Sequence, residues 1–113
     1  MFSMTFYLVK AKPKSNIADL RYDIDHGMIH TLIPFGKSLH YSLENARLDY
    51  DDYAVWIEED YCTPPLAMEK EAVLDRYFED IKVEVVPSEM EGWNRIKDKR
   101  LFWKADRPWN LSE

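Results

Sequence analysis

Three segments of the sequence show the two-residue periodicity of a β-strand, and stretches with helical spacing separate them. Residues 4–9, 53–60 and 81–86 carry apolar side chains at alternate positions, and successive side chains of a strand point to opposite faces of a sheet. A lone strand cannot satisfy its backbone groups by itself. The pattern therefore predicts one sheet that the intervening helices cover.

The stretch at residues 38–48 fits two structures. Alternate residues from Leu39 to Leu43 are apolar, which is typical of a strand, whereas Leu39, Leu43 and Ala46 also have the spacing of a short helix. We favour the strand, because residues 53–60 need a neighbour for their backbone N–H and C=O groups. The polar residues between the two would then close an antiparallel hairpin.

Local signals mark the starts of three helices. Ser15 can cap the first, the prolines at 64–65 suit the first turn of a second that runs to about Phe78, and Ser88 and Glu91 form a capping box at the third. Proline is tolerated in a first helical turn because its missing N–H would have no partner there. The helices thus alternate with the predicted strands.

The predicted order is strand, helix, strand, strand, helix, strand, helix and an aromatic tail, residues 100–113. With 113 residues and no linker-like stretch, we expect a single α+β domain, 1–113. Residues 1–87 would hold the sheet and two helices, and residues 88–113 the short capped C-terminal helix and the aromatic tail. Two strand–helix–strand units give a ferredoxin-like βαββαβ antiparallel sheet with its helices on one face. The other face would be bare, so we expect a homodimer contact, the tail or a ligand to cover it.

Composition and motifs argue against several classes of protein. The chain carries 21 acidic and 15 basic residues, a net charge of -6, so no nucleic acid is expected as a partner. The apolar run at the start is too short to span a bilayer, so no membrane partner is expected either. The single Cys62 indicates a reducing, cytoplasmic location. No P-loop, dinucleotide-binding, EF-hand or paired-cysteine motif occurs, and no cofactor is predicted.

The bare sheet face is the predicted functional site. The helices are expected on the face that carries Phe6, Tyr41, Val55 and Val83. The opposite face would then carry Tyr7, His40, Glu44, Trp56 and Glu58. His40 and Glu58 are the candidate catalytic pair, because a carboxylate beside an imidazole holds its tautomer and raises its pKa. Tyr7, Glu44 and Trp56 are candidate ligand-binding residues, although a half-exposed sheet or a dimer contact would show the same polar alternation.

Two further features have a simpler explanation than a site. Asp23, His26 and His30 have metal-ligand spacing on the first helix, but they also suit an exposed polar face, so no metal site is predicted. Cys62 precedes a helix start, where a thiolate would be favoured, although free cysteine more often packs as a small apolar residue.

The second predicted helix carries one cation within its apolar arc. Lys70 lies between Leu66 and Val73, and its stem is expected to pack while its ammonium group reaches water. Glu69 and Glu71 are expected on a solvated face. Neither feature adds a residue to the predicted site.

Two functions follow as hypotheses. The first is a small intracellular homodimeric ligand-binding protein or enzyme that uses the bare sheet face and takes a small molecule. The second is a non-catalytic protein interaction or regulatory module that uses the aromatic tail and the acidic segment 51–91, with 13 acidic and 3 basic residues. Because residues 92–113 carry 6 basic and 3 acidic residues, the tail is also expected to dock on the acidic segment.

Overall fold

The computed structural model describes residues 4–60 and 64–105, which form four strands and several helices. The strands are β1 (Thr5–Pro13), β2 (Arg47–Leu48), β3 (Ala54–Asp60) and β4 (Phe78–Val86). The helices are α1 (Ile17–Asp25), α2 (Gly36–Glu44), α3 (Ala67–Glu69), α4 (Asp75–Tyr77) and α5 (Glu89–Ile96). A π-helical turn (Lys70–Leu74) joins α3 to α4, and a short 3-10 helix (Phe102–Lys104) follows α5.

The four strands form one antiparallel sheet in the order β2-β3-β1-β4, so the predicted α+β class is confirmed. β1 is central, with Thr5 opposite Asp60 of β3 and Phe6 opposite Val86 of β4. β2 adds only two residues at one edge, and β4 is the other edge. The three segments with two-residue periodicity are therefore strands, as predicted.

The predicted strand at residues 38–48 is wrong. Most of this stretch is α2, and only Arg47 and Leu48 pair with β3. The helical spacing decides the structure, because Leu39 and Leu43, one turn apart, are 0% and 1% exposed in the core. β3 obtains its main neighbour from β1 instead.

Helices pack on both faces of the sheet, which contradicts the prediction that one face is bare. α1, α2 and the helical segment 67–77 share a core with Val9 and Trp56. α5 lies on the other face, where Ile96 packs with Val55. Tyr7, Trp56 and Glu58 are therefore on the face with more helices, not on an open one.

The residues expected on one helix-covered face do not share a face. Phe6 and Val55 lie on the α5 side, Val83 lies opposite Val9 on the other side, and Tyr41 belongs to α2. β1 itself shows why. It is apolar on both sides near Phe6, and the two faces differ only further along, where Lys10 and Lys12 alternate with buried valine and alanine.

Helix ends follow local chemistry more than the longer patterns. α1 begins after Asn16 rather than Ser15, and it ends at Asp25, two residues before Gly27 with its positive φ of 73°. The cap at Ser88 is confirmed, since its hydroxyl oxygen accepts the Glu91 N–H at 3.1 Å. None of the helices in the two described ranges is long and apolar enough to cross a membrane.

The described part of the tail packs against α2 and the residues that follow it. The backbone N–H of Phe102 donates to the carbonyl oxygen of Ala46 at 2.9 Å, and the indole N–H of Trp103 donates to that of Leu43 at 2.7 Å. Both rings are buried there. These two rings hydrogen-bond to residues outside segment 51–91 but share a core with Trp56 from it, and residues 106–113 lie outside the described residues, so docking of the tail on the acidic segment stays a prediction.

Candidate functional site

Three of the predicted site residues lie in three different environments. Trp56 is fully buried in the core, with its ring centroid 5.2 Å from that of Phe78. Tyr7 is half-buried at the margin of the same core. Glu44 is exposed on α2, where its two carboxylate oxygens accept hydrogen bonds from Arg21 at 2.9 and 3.1 Å. The structure does not bring these side chains together at one surface.

The predicted catalytic pair, His40 and Glu58, is not hydrogen-bonded. His40 lies on α2 rather than on a strand beside β3, and its ring meets that of His30 edge-on, 5.3 Å between centroids. Its Nδ1 is buried and has no hydrogen-bond partner among the described residues, and the same is true of both carboxyl oxygens of Glu58. The acid–base contact that the sequence suggests is therefore missing.

Glu58 instead belongs to a group of three buried carboxyls. Glu58 and Asp60 point to the same face of β3, and Glu69 lies at the end of α3. These residues are 1%, 4% and 2% exposed, respectively. Glutamate and aspartate are rarely buried so completely without a cation. Within residues 4–60 and 64–105, none of the three forms an ion pair.

The surroundings disfavour negative charge on two of these carboxyls. Burial raises the pKa of Glu58 well above its ordinary value of 4.5, and repulsion from Glu69 adds to this shift. The Ser42 hydroxyl and the Trp56 indole N–H lie near Glu58 and act to lower its pKa, but the hydroxyl donates its proton to the carbonyl oxygen of Ile57 at 2.6 Å and the indole N–H has no hydrogen-bond partner among the described residues, so burial prevails. Burial also raises the pKa of Glu69, and the charge of Asp60 acts in the same direction. A cation beside the group would lower the pKa of both carboxyls, because it favours their charged form.

Asp60 fixes the position of α3 relative to β3. Its Oδ2 accepts the backbone N–H of Leu66, which has a positive φ of 61°. A leucine in this left-handed region is uncommon and persists only where its surroundings hold it. The π-helical turn begins at Lys70, directly after Glu69, and such turns occur frequently at functional sites.

A pocket of about 220 Å³ opens beside these carboxyls, between the start of α2, the end of β3 and α3. Its lining residues are Pro34, Phe35, Ser38, Glu59, Asp60, Met68 and Glu69. Oε1 of Glu69 has no hydrogen-bond partner among the residues that the structure describes. The pocket therefore combines an apolar wall with a concentration of acidic groups.

A wider groove of about 710 Å³ adjoins the pocket and lies between α2 and α5. Pro34, Ser38 and Glu59 line both spaces. In the wall of the groove, the rings of Tyr41 and Trp93 meet edge-on with their centroids 6.1 Å apart. The two spaces thus form one surface that can accept something longer than the pocket.

The other candidates from the sequence do not form sites in the described residues. Asp23 accepts a hydrogen bond from a tyrosine hydroxyl at 2.5 Å, and the ring of His26 stacks on another tyrosine ring at 3.9 Å. Across the described ranges, no group of three His, Cys, Asp or Glu side chains could hold a metal ion. Cys62 lies outside the described residues.

Glu69 is the site residue that the sequence analysis places incorrectly, since it is buried rather than solvated. The spacing of Glu69 from apolar residues along the sequence is the signal that could have predicted its burial. Glu69 follows Leu66 by three residues and precedes Val73 by four, and both neighbours are buried. Residues so spaced lie on one helix face, so the spacing predicts burial even though the charge suggests exposure.

No protein family, curated protein or solved structure matches this chain. Residues 4–60 and 64–105 form a mixed α+β fold with one four-stranded antiparallel sheet, and the buried carboxyls of Asp60 and Glu69 line a small pocket at one end of that sheet.

Proposed function

We propose that the protein is a small ligand-binding protein whose pocket takes a compact organic cation, such as a primary amine with an apolar body. The single observation that carries this proposal is Glu69. This residue is 2% exposed, lines the pocket and has a carboxyl oxygen without a hydrogen-bond partner among the described residues. An unpaired buried carboxylate is costly, and an ammonium group would provide the partner it lacks.

The rest of the lining supports this choice of ligand. Pro34, Phe35 and Met68 offer apolar surface to a hydrocarbon body, and the Ser38 hydroxyl offers one polar contact. Ligand pockets commonly combine an apolar lining with a few polar groups that fix orientation. The net charge of -6 also favours a cation over an anion.

Glu58 and Asp60 have supporting roles in this proposal. Asp60 adds negative charge at the pocket and holds α3 in place through Leu66. Burial raises the pKa of Glu58 well above its ordinary value, so Glu58 opposes a second negative charge near Glu69 less than an ordinary carboxyl would. The proposal thus retains the ligand-binding hypothesis from the sequence but puts the binding site at the pocket beside Glu69. It includes neither catalysis by His40 nor the use of an open sheet face.

The test compares benzylamine with benzyl alcohol, which has the same ring but no charge. In calorimetric titrations we expect benzylamine to bind more tightly, roughly ten- to a hundredfold, as expected for a hydrogen bond to a charged group. Glu69→Gln should remove this preference. Glu71→Gln, an exposed neighbour in the same helical segment, is the matched control and should bind like the wild type. Equal affinity for the two ligands, or a preference that survives Glu69→Gln, would contradict the proposal.

The protein interaction module is a second candidate, and the groove between α2 and α5 favours it. A peptide lying along Tyr41, Met90 and Trp93 could place one basic side chain in the pocket at Glu69. The aromatic rings at Phe102 and Trp103 are packed inside the chain, so this version does not use them. Peptides that bind through lysine but leave benzylamine unbound would favour this candidate.

We further propose that the sheet is ferredoxin-like. Counted from its other edge, the strand order is β4-β1-β3-β2, with β3 inserted between β1 and β2. This order supports two strand–helix–strand units, with α1 and α2 in the first and the helical segment 67–77 in the second. The cytoplasmic location predicted from the single Cys62 stays a proposal as well.

A further inference from the structure

One edge of the sheet has no strand partner among the described residues. β4 is nine residues long and pairs with β1 alone. An edge strand presents unpaired backbone N–H and C=O groups, so a long edge is a template for another strand. At the opposite edge, β2 has only two residues, and Arg47 forms a bridge with Leu101. β4 is thus the edge that can accept a further strand.

The two faces of β4 differ in character. Val83 and Val85 lie opposite Val9 and Tyr7 of β1, on the α1 and α2 side, and they are 40% and 63% exposed. Lys82 alternates with these valines and points to the other face, as does Glu84, and each of these two side chains is 65% exposed. Within the chain, Lys82 lies 3.6 Å from Asp80 and Glu84 lies 3.0 Å from Arg95. The strand therefore exposes an apolar row on one face and, on the other, one charge of each sign that a second copy would share with these partners.

We propose that two copies of the chain join antiparallel through their β4 strands, with Val83 opposite Val83 of the second copy. In this register Lys82 lies opposite Glu84 of the second copy, and Ile81 lies opposite Val85. Two-fold symmetry repeats each contact. The pairing covers the exposed valines on one face, forms two ion pairs on the other, and joins the sheets of both copies into one.

The charges select this register over its neighbours. Moving the symmetry axis by one residue toward the N-terminus places Lys82 opposite Lys82. Moving it by one residue in the other direction places Glu84 opposite Glu84. Like charges directly opposite each other destabilise a pair of strands, whereas opposite charges stabilise it. Residues 81–85 are therefore self-complementary in a single antiparallel register.

The inference rests on β4 and does not require the ligand pocket. The sequence suggests a homodimer that covers a bare sheet face. The dimer proposed here uses the edge strand β4 instead. Pairing is limited on one side by Asp80, which has a positive φ of 51° and lies where the register between β1 and β4 shifts. The region that can join is thus the regular part of β4, where the exposed valines are.

The test is sedimentation equilibrium of the full chain and its charge-reversal variants. We expect the wild type to dimerise, and Lys82→Glu to raise the dissociation constant roughly 30-fold by placing carboxylates opposite each other at both symmetric contacts. Glu84→Lys should have a similar effect with two ammonium groups. An equal mixture of the two variants should associate like the wild type, because each Glu then meets a Lys. Lys97→Glu, an exposed reversal beyond α5, is the matched control and should dimerise normally.

A wild type that stays monomeric up to about 1 mM would overturn the proposal. A dimer that neither reversal weakens would overturn it as well, and so would a mixture that associates no better than either variant. If a variant fails to fold, amide hydrogen exchange at Val83 of the wild type tests the same pairing. Protection that rises with protein concentration supports the pairing, and protection independent of concentration overturns it.

Discussion

Replacing Glu58 with glutamine should change how the stability of this protein depends on pH. Glu58 is 1% exposed, both of its oxygens lack a hydrogen-bond partner among the described residues, and burial followed by repulsion from Glu69 raises its pKa. In the unfolded chain the same group ionises near its ordinary pKa of 4.5. Above that pH the native state holds a proton that the unfolded state has lost, so the free energy of unfolding falls as the pH rises.

The size of the effect follows from the linkage between proton binding and folding. One group that is protonated in the native state and ionised in the unfolded state lowers the free energy of unfolding by about 1.4 kcal/mol per pH unit. The loss begins near pH 4.5 and stops at the native pKa of Glu58. Glutamine has nearly the same size but cannot ionise, so the variant should lack this slope and gain stability relative to the wild type toward neutral pH.

Urea unfolding followed by tryptophan fluorescence at successive pH values measures this difference. Glu71→Gln, which removes an exposed carboxylate, is the control and should follow the wild-type pH dependence. If the wild type and Glu58→Gln lose stability in parallel across this range, Glu58 ionises equally in the folded and unfolded states. That result would refute the reasoning about the buried carboxyls.

Three substitutions test the packing around the sheet, with urea unfolding as the assay. Phe102→Ala should lower the free energy of unfolding by about 3–5 kcal/mol because the ring is fully buried, and a loss below about 1 kcal/mol would mean that the tail is not part of the core. Gly92→Ala should destabilise by up to about 2 kcal/mol, since a Cβ 2.7 Å from Cδ1 of Ile57 overpacks the site by more than the helical preference of alanine returns. A more stable Gly92→Ala variant would show that α5 has room to move. Ser88→Ala should cost about 1 kcal/mol through loss of the helix cap, and an unchanged stability would mean that the cap contributes nothing.

Much of the fold can be predicted from short patterns in this sequence. β1, β3 and β4 follow from two-residue periodicity, and the start of α5 follows from a hydroxyl at Ser88 that can accept an orphan N–H. These signals act within a few residues, so the sequence is enough to locate them.

Longer-range features are harder to predict because they depend on competition between elements. Leu39 and Leu43 suit both a strand and a helix, and their structure is decided by the core that α2 joins with Trp56. The prediction of which sheet face the helices cover is wrong for a similar reason. β1 is apolar on both sides at Phe6 and Tyr7, and the faces differ only further along, where Lys10 and Lys12 alternate with the buried Val9 and Ala11.

The candidate site shows both the use and the limit of residue chemistry. Glu58, predicted as half of a catalytic pair on an open face, is instead 1% exposed at the acidic end of β3 and does not line the pocket, so its predicted role stays a prediction. His40 is misplaced because its element is misassigned. Glu69 is misplaced because its charge outweighs its helical spacing in the prediction, and only the assembled fold brings it beside Asp60.

The protonation of Glu69 with and without a cationic ligand is the most direct test of the proposed site. A carbon-13 NMR titration of the Glu69 carboxyl measures its pKa in the free protein and in the presence of benzylamine. We predict a pKa above the ordinary value of 4.5 in the free protein and a lower pKa when benzylamine is bound, because a nearby ammonium group favours the charged carboxylate. A free-protein pKa at or below 4.5, or a pKa that benzylamine leaves unchanged, would contradict a cation-binding pocket at Glu69.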